Sequence, residues 1–191
     1  MSALFPTYAK WEVQAVSGNG AILIDQNRTE YLDFMAGIAV CNLGHCHPRV
    51  NEAVKMQVDK LWHASNLFHH EGQEKVAKML TLHSVGDYVF FTNSGAEANE
   101  AAIKLARKAT SKHHIVTLKQ SFHGRTLGTL AATGQEKVHE GFGPLLPSFS
   151  YVELNDCDSL QNAVTDATAA IMVEVIQGEG GVHLMDEASV S

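Results

Sequence analysis

The sequence predicts an α/β fold built on a mostly parallel sheet covered by helices. Two observations carry that expectation. Ile115-Val116-Thr117-Leu118 and the run from Ala169 to Ile176 are near-continuous apolar stretches, the texture of strands buried on both faces. Segments with helical apolar spacing alternate with them, and alternating strands and helices pack as a parallel sheet with helices on its faces.

Element by element, Ala21-Ile22-Leu23-Ile24-Asp25 and Tyr31-Leu32-Asp33-Phe34 flank the polar stretch 26–30 and read as a hairpin within a small N-terminal arm, residues 1–35. From Pro48, a good helix opener, Val50, Ala53, Val54, Val58 and Leu61 fall on one helical face. A second helix is expected from about Glu71 to Leu82, carrying Val76, Ala77 and Leu80. Tyr88-Val89-Phe90-Phe91 then reads as a strand, Thr92-Asn93-Ser94-Gly95 as a loop, and Ala96 to Ala109 as an Ala-rich helix. Strands are expected at 115–118, 151–154 and 169–176, with a helix near 158–164 between the last two. The Gly-rich loop Gln177-Gly178-Glu179-Gly180-Gly181 follows.

Composition limits the function classes. Of 191 residues, 45% are hydrophobic and 18% charged, which excludes disorder and a charged coiled coil. Fourteen Lys plus Arg against 21 Asp plus Glu give a net charge of −7, the wrong sign for a nucleic-acid or anionic-membrane partner. No apolar run approaches the ~20 residues that span a bilayer, and Met1 to Pro6 lacks the features of a signal peptide, so the expected location is the cytoplasm. Cys41, Cys46 and Cys157, odd in number and unevenly spaced, suit a reducing compartment.

Three segments could carry chemistry. Thr92-Asn93-Ser94-Gly95-Ala96-Glu97 joins a strand to a helix, where free backbone N–H groups and the helix dipole make an anion site, and Gly95 and Ala96 leave room for a phosphate. Ser94-x-x-Glu97 is also a capping box, which accounts for both polar residues without any ligand. Ser121-Phe122-His123-Gly124-Arg125-Thr126 follows strand 115–118, at the sheet edge where open α/β sheets bind ligands. There Phe122 could cover a planar heterocycle and Arg125 could grip a carboxylate, or Phe122 could be core and Arg125 a surface ion pair. The third is Glu174 with the loop 177–181, since a carboxylate at the tip of a buried strand is costly to leave unpaired. Cys41, His45, Cys46 and His47 lack the recurring spaced pairs of a zinc site, so no metal is expected, and the absence of a Gly-x-Ser-x-Gly elbow argues against a serine hydrolase.

Together these segments resemble the class III aminotransferases of fold type I, which use pyridoxal 5'-phosphate (PLP). The matching text is Tyr31-Leu32-Asp33-Phe34, Gly37-Ile38-Ala39-Val40, Leu43-Gly44-His45-Cys46-His47-Pro48, Phe90 to Glu100, Phe122-His123-Gly124-Arg125-Thr126 and Glu174 to Gly181. The resemblance runs from about Thr7 to Val182 and is strongest to the branch acting on N-acetylornithine in arginine biosynthesis. It implies an N-terminal arm and small-domain segment over residues 1–47 and an incomplete large PLP-binding domain over 48–191. It also implies that Ser94, Gly95 and Ala96 hold the cofactor phosphate and Phe122 stacks on the cofactor ring. Arg125 would hold a substrate carboxylate, and Glu179 is similar to a carboxylate that releases a second substrate-binding Arg when a dicarboxylate arrives.

The implied reaction transfers the terminal amino group of N-acetylornithine to 2-oxoglutarate, in a homodimer. Ile38 and Val40, where the ornithine-using relatives have a polar Tyr, favour an acylated amine; N-succinylornithine, ornithine and 4-aminobutyrate remain alternatives. The family's chain is roughly twice this length. The Asp that pairs with the pyridine nitrogen and the Lys that holds the cofactor covalently have no counterpart among these residues, and none of the ten Lys lies in a matching motif. Residues 1–191 therefore contain no catalytic residue and are expected to be inactive alone, as the N-terminal half of an enzyme or as a truncated remnant serving in binding or dimerisation.

Overall fold

The computed structural model describes residues 3–190. The chain divides into two compact units, one ending at Val76 and one beginning at Ala77.

The first unit opens with an antiparallel meander of β1 (Ala15–Asn19), β2 (Ile22–Asp25) and β3 (Glu30–Leu32). The β2–β3 hairpin is the expected one, and Asp25 fixes its turn. One carboxylate oxygen accepts from the backbone N–H groups of Asn27 and Thr29, both at 2.8 Å, and the other from Tyr31 Oη at 3.2 Å. These bonds, the one from Thr29 foremost, hold the Asp25 carboxyl below the usual carboxylate range. The short turn α1 (Ala36–Ala39) carries Ile38 at φ +57°, a left-handed conformation costly for a β-branched residue. His45 Nε2 lies 2.7 Å from Asp33 Oδ2, and all three cysteines are free thiols. α2 (Pro48–Val58) begins at the expected proline, and α3 (Glu71–Leu82), which runs across the division at Val76, matches the expected span.

The second unit is built around a three-stranded parallel sheet in the order β5-β4-β6, with β4 (His114–Leu118) between β5 (Phe149–Val152) and β6 (Thr168–Met172). The α/β class with a parallel sheet is thus observed. As the central strand, β4 is buried from Ile115 to Leu118, and Val116 and Leu118 join Val152 in the core. Each such side chain stabilises the fold by about 1.5–3 kcal/mol. α4 (Gly95–Thr110) covers the sheet through Ile103, and α7 (Cys157–Ala163) packs on β5, with Leu160 and Ala163 against the core.

Several expectations shift. Tyr88 to Phe91 forms no strand: no ladder partner lies beside it among the described residues, and Tyr88 and Phe90 are exposed. The run 169–176 is interrupted after Met172, resumes as β7 (Ile176–Gln177), and pairs with β8 (His183–Leu184). Two helices that the sequence did not disclose, α5 (Leu127–Ala132) and α6 (Glu136–His139), precede β5. α5 is buried from Gly128 to Ala132, so it lacks the amphipathic alternation that identifies a helix. The chain ends with α8 (Glu187–Val190). Among the described residues, no helix is long and apolar enough to cross a membrane.

Candidate functional site

The start of α4 presents unengaged backbone donors. Ser94 is the N-cap: its hydroxyl accepts from Glu97 N–H at 3.1 Å, and its carbonyl accepts from Ala98 N–H. The N–H groups of Gly95 and Ala96 have no hydrogen-bond partner among the described residues. Space beside Gly95 is open, because a Cβ built there would meet no atom within 4 Å. Only half of the expected capping box forms. The Glu97 carboxylate reaches one residue further out, where Asn93 offers both its backbone N–H at 2.7 Å and its Nδ2 at 3.0 Å.

The loop after β4 runs beside this helix start. Gly124, at φ +139°, passes so close that a Cβ there would lie 2.9 Å from that of Ala96. Asn99 Nδ2 donates to His123 O at 2.8 Å, tying the loop to the next turn of α4. His123 points inward: its Nε2 lies 3.0 Å from Thr117 Oγ1 and its N–H donates to Thr133 Oγ1 at 3.0 Å. Burial pushes its pKa down to about 4, so it is neutral at pH 7 and holds the loop down as a neutral ring.

The two residues flanking that anchor face the other way. Arg125 is exposed and lies over the half-buried Phe122 ring, its guanidinium carbon 5.4 Å from the centroid. Phe122 N–H donates to Glu174 Oε2 at 2.8 Å, across 52 residues. Burial raises the Glu174 carboxyl above its usual range; the Phe122 bond opposes this, and the nearby charge of Glu179 adds to it. Glu179 itself is an exposed residue of the Gly-rich loop, which Gln177 anchors by donating from Nε2 to Lys119 O at 2.9 Å.

The structure therefore gathers Gly95, Ala96, Phe122 and Arg125 at one end of the sheet, with Ser94 as their cap and Glu179 on the loop that Glu174 and Gln177 secure. Sequence reasoning missed Asn99 and Glu100. The Glu100 carboxylate accepts from Thr126 Oγ1 at 2.5 Å and from the N–H groups of Gly128 and Thr129 at 2.9 and 3.2 Å, at the start of α5. No local pattern signals these bonds, since they cross 24 to 29 residues. Among the described residues, no three His, Cys, Asp or Glu side chains converge as a metal-ligand set.

A parallel sheet, two unpaired N–H groups at a helix start and a ring and guanidinium on the neighbouring loop define an α/β protein whose sheet edge offers anion donors beside an aromatic face. Residues 6–191 match the family model described as aminotransferase class-III, and the chain belongs to that family. The family is PLP-dependent. The chain is 64% identical over 186 residues to an acetylornithine aminotransferase of Halalkalibacterium halodurans, covering 97% of this chain and 48% of that one. Its fold superposes on the ornithine aminotransferase of Toxoplasma gondii with a TM-score of 0.91 at 31% identity, covering 98% of this chain and 47% of that one. A taurine:2-oxoglutarate aminotransferase of Bifidobacterium kashiwanohense, solved in complex with PLP and glutamate, superposes with a TM-score of 0.87 at 28% identity, covering 98% and 49%. The chain spans about half the length of each of these three proteins.

Proposed function

We propose that this chain supplies the cofactor-phosphate seat and one substrate-carboxylate contact of an aminotransferase that moves the terminal amino group of N-acetylornithine to 2-oxoglutarate. The observation that carries the reading is the pair of unengaged N–H groups at Gly95 and Ala96 with the Phe122–Arg125 loop packed against them. The residues present fit a phosphate: two unpaired N–H donors stand at the positive end of a 16-residue helix, and a Cβ built on Gly95 would meet no atom within 4 Å. Ser94 caps the helix and so fixes the direction of those donors.

When bound, PLP supplies the electron sink that makes the reacting C–H acidic. The chain's own residues bind and orient. Phe122 offers an apolar face to the cofactor ring, and Arg125 offers a planar fork for two parallel bonds to a carboxylate, which both substrates carry. Glu179, exposed on its loop, is free to pair with a cation contributed from elsewhere.

N-acetylornithine as amino donor is supported by the 64% identity to an acetylornithine aminotransferase and by Ile38 and Val40, whose exposed apolar side chains suit an acylated amine better than a free ammonium. A homodimer in the cytoplasm completes the proposal; large exposed apolar side chains such as Phe34, Leu43, Trp62 and Tyr88 leave surface for a second subunit, or for the rest of a protein about twice this length, to cover.

The test is amino transfer to 2-oxoglutarate by the whole protein that carries this chain, loaded with PLP, with N-acetylornithine, N-succinylornithine, ornithine and 4-aminobutyrate as donors. The highest kcat/KM is expected for N-acetylornithine. Preference for another donor would reassign the substrate, and PLP binding without transfer from any donor would replace the enzyme reading by a binding module.

A further inference from the structure

Phe122 and Arg125 are three residues apart, yet they are anchored by different parts of the chain. Phe122 is held through its backbone N–H by the Glu174 carboxylate, which reaches it from beyond the end of β6. The residues directly after Arg125 are held by Glu100 of α4, whose single oxygen Oε1 collects the Thr126 hydroxyl and two N–H groups of the first turn of α5. Gly128 is part of that grip, because a Cβ there would lie 2.5 Å from Glu100 Oε2. Between the two anchors, His123 is fixed by Asn99 on its carbonyl and by Thr133 on its N–H. Along the backbone, movement at one end of the loop is therefore not passed freely to the other, and the exposed Arg125–Phe122 contact is a weak link left between the two side chains.

We propose that Glu174 and Glu100 are separate positioning residues, Glu174 setting the Phe122 ring against the cofactor and Glu100 setting Arg125 for the substrate carboxylate. The proposal rests on the roles given above to Phe122 and Arg125. Each carboxylate acts as a hydrogen-bond acceptor, not by touching a ligand. An amide at the same position keeps an acceptor oxygen and preserves the function, whereas a methyl group does not.

The separation is measurable in the whole, PLP-loaded protein. Glu174→Ala is expected to shift the absorbance maximum of bound PLP and to speed cofactor loss about tenfold, with KM for 2-oxoglutarate within about twofold of wild type. Glu100→Ala is expected to raise KM for 2-oxoglutarate about tenfold while leaving the cofactor spectrum and retention unchanged. Glu174→Gln and Glu100→Gln should restore most of each loss. If Glu100→Ala does not fold, Gly128→Ala displaces the same carboxylate and is read in its place. Crossed effects, equal loss of both readouts in both variants, or Gln variants as impaired as the Ala variants would overturn the proposal. Phe122→Ala and Arg125→Lys, run alongside, report on the underlying roles. If those two change neither readout, the functional reading of the loop fails, whatever the carboxylate variants do.

Discussion

The Arg125 guanidinium lies over the Phe122 ring, 5.4 Å from its centroid, so the residues proposed to cover the cofactor ring and to bind a carboxylate touch each other. At an exposed arginine such a contact is worth only about 0.5–1 kcal/mol, a bias on the fork and not a clamp.

Arg125→Lys should therefore damage turnover far more than folding. Lysine keeps the charge but loses the planar fork and the stacking, a loss of about 2 kcal/mol, or about thirtyfold in kcat/KM. Steady-state kinetics on both substrates would check it. An unchanged kcat/KM for both would remove Arg125 from the site.

Gly95→Val separates ligand binding from folding, because the added side chain meets no protein atom within 4 Å of its Cβ. Cofactor retention should fall roughly tenfold as the phosphate approach is crowded, with little change in Tm. Ser94→Ala should instead cost ~1 kcal/mol of stability through the lost cap. Equilibrium dialysis of PLP and thermal melts distinguish the two, and equal retention by wild type and Gly95→Val would contradict the backbone seat.

Buried His123 gives the protein an acid sensitivity of known sign. Its folded pKa of about 4 lies below the unfolded value of 6.5, so between those values the unfolded chain binds more protons. Stability attributable to His123 is full above pH 6.5 and is lost as pH falls towards 4, by at most about 3 kcal/mol. His123→Gln should cost stability at pH 7 and less at pH 5. A Tm difference between the two proteins that stays constant from pH 7 to 5 would show that His123 does not titrate in this window.

Much of this architecture was legible in the sequence because it is local. The period of Val50, Ala53, Val54 and Val58 marks α2, the Ser94 cap marks the start of α4, and the apolar run 115–118 marks the central strand. What was not legible depends on distant partners. Tyr88 to Phe91 has strand composition but no adjacent strand among the described residues, and extended backbone needs a ladder to become one. The run 169–176 looks continuous, yet the chain leaves the ladder after Met172 and Glu174 binds Phe122. Glu100 reads as one more polar residue on a helix; only the fold shows it at the start of α5. At the site, Gly95 and Ala96 were visible because they open an Ala-rich helix with room for a phosphate, and Phe122 and Arg125 because they follow the central strand; each signal alone is common, and the resemblance of the ordered motifs joined them. Their anchors were not, because a Glu or Asn at a helix surface has no distinguishing neighbourhood in sequence.

Residues 1–191 mixed with PLP as an isolated polypeptide should show no transamination. A productive covalent link needs an amine held at the cofactor aldehyde and kept partly neutral. Lys104 and Lys108 are exposed on α4, and Lys119 is paired with Glu153 at 2.5 Å, which raises its pKa further. Borohydride trapping and peptide mapping should find weak adducts scattered over several lysines. One stoichiometrically labelled lysine with measurable transamination would refute this.

The central claim, that the start of α4 seats the cofactor phosphate beside Phe122 and Arg125, is tested most directly by a crystal structure of the whole protein with PLP bound. Phosphate oxygens are expected about 2.9 Å from the backbone nitrogens of Gly95 and Ala96, with the Phe122 ring stacked on the pyridine. A phosphate bound away from Gly95 and Ala96, or a pyridine ring out of contact with Phe122, would contradict it.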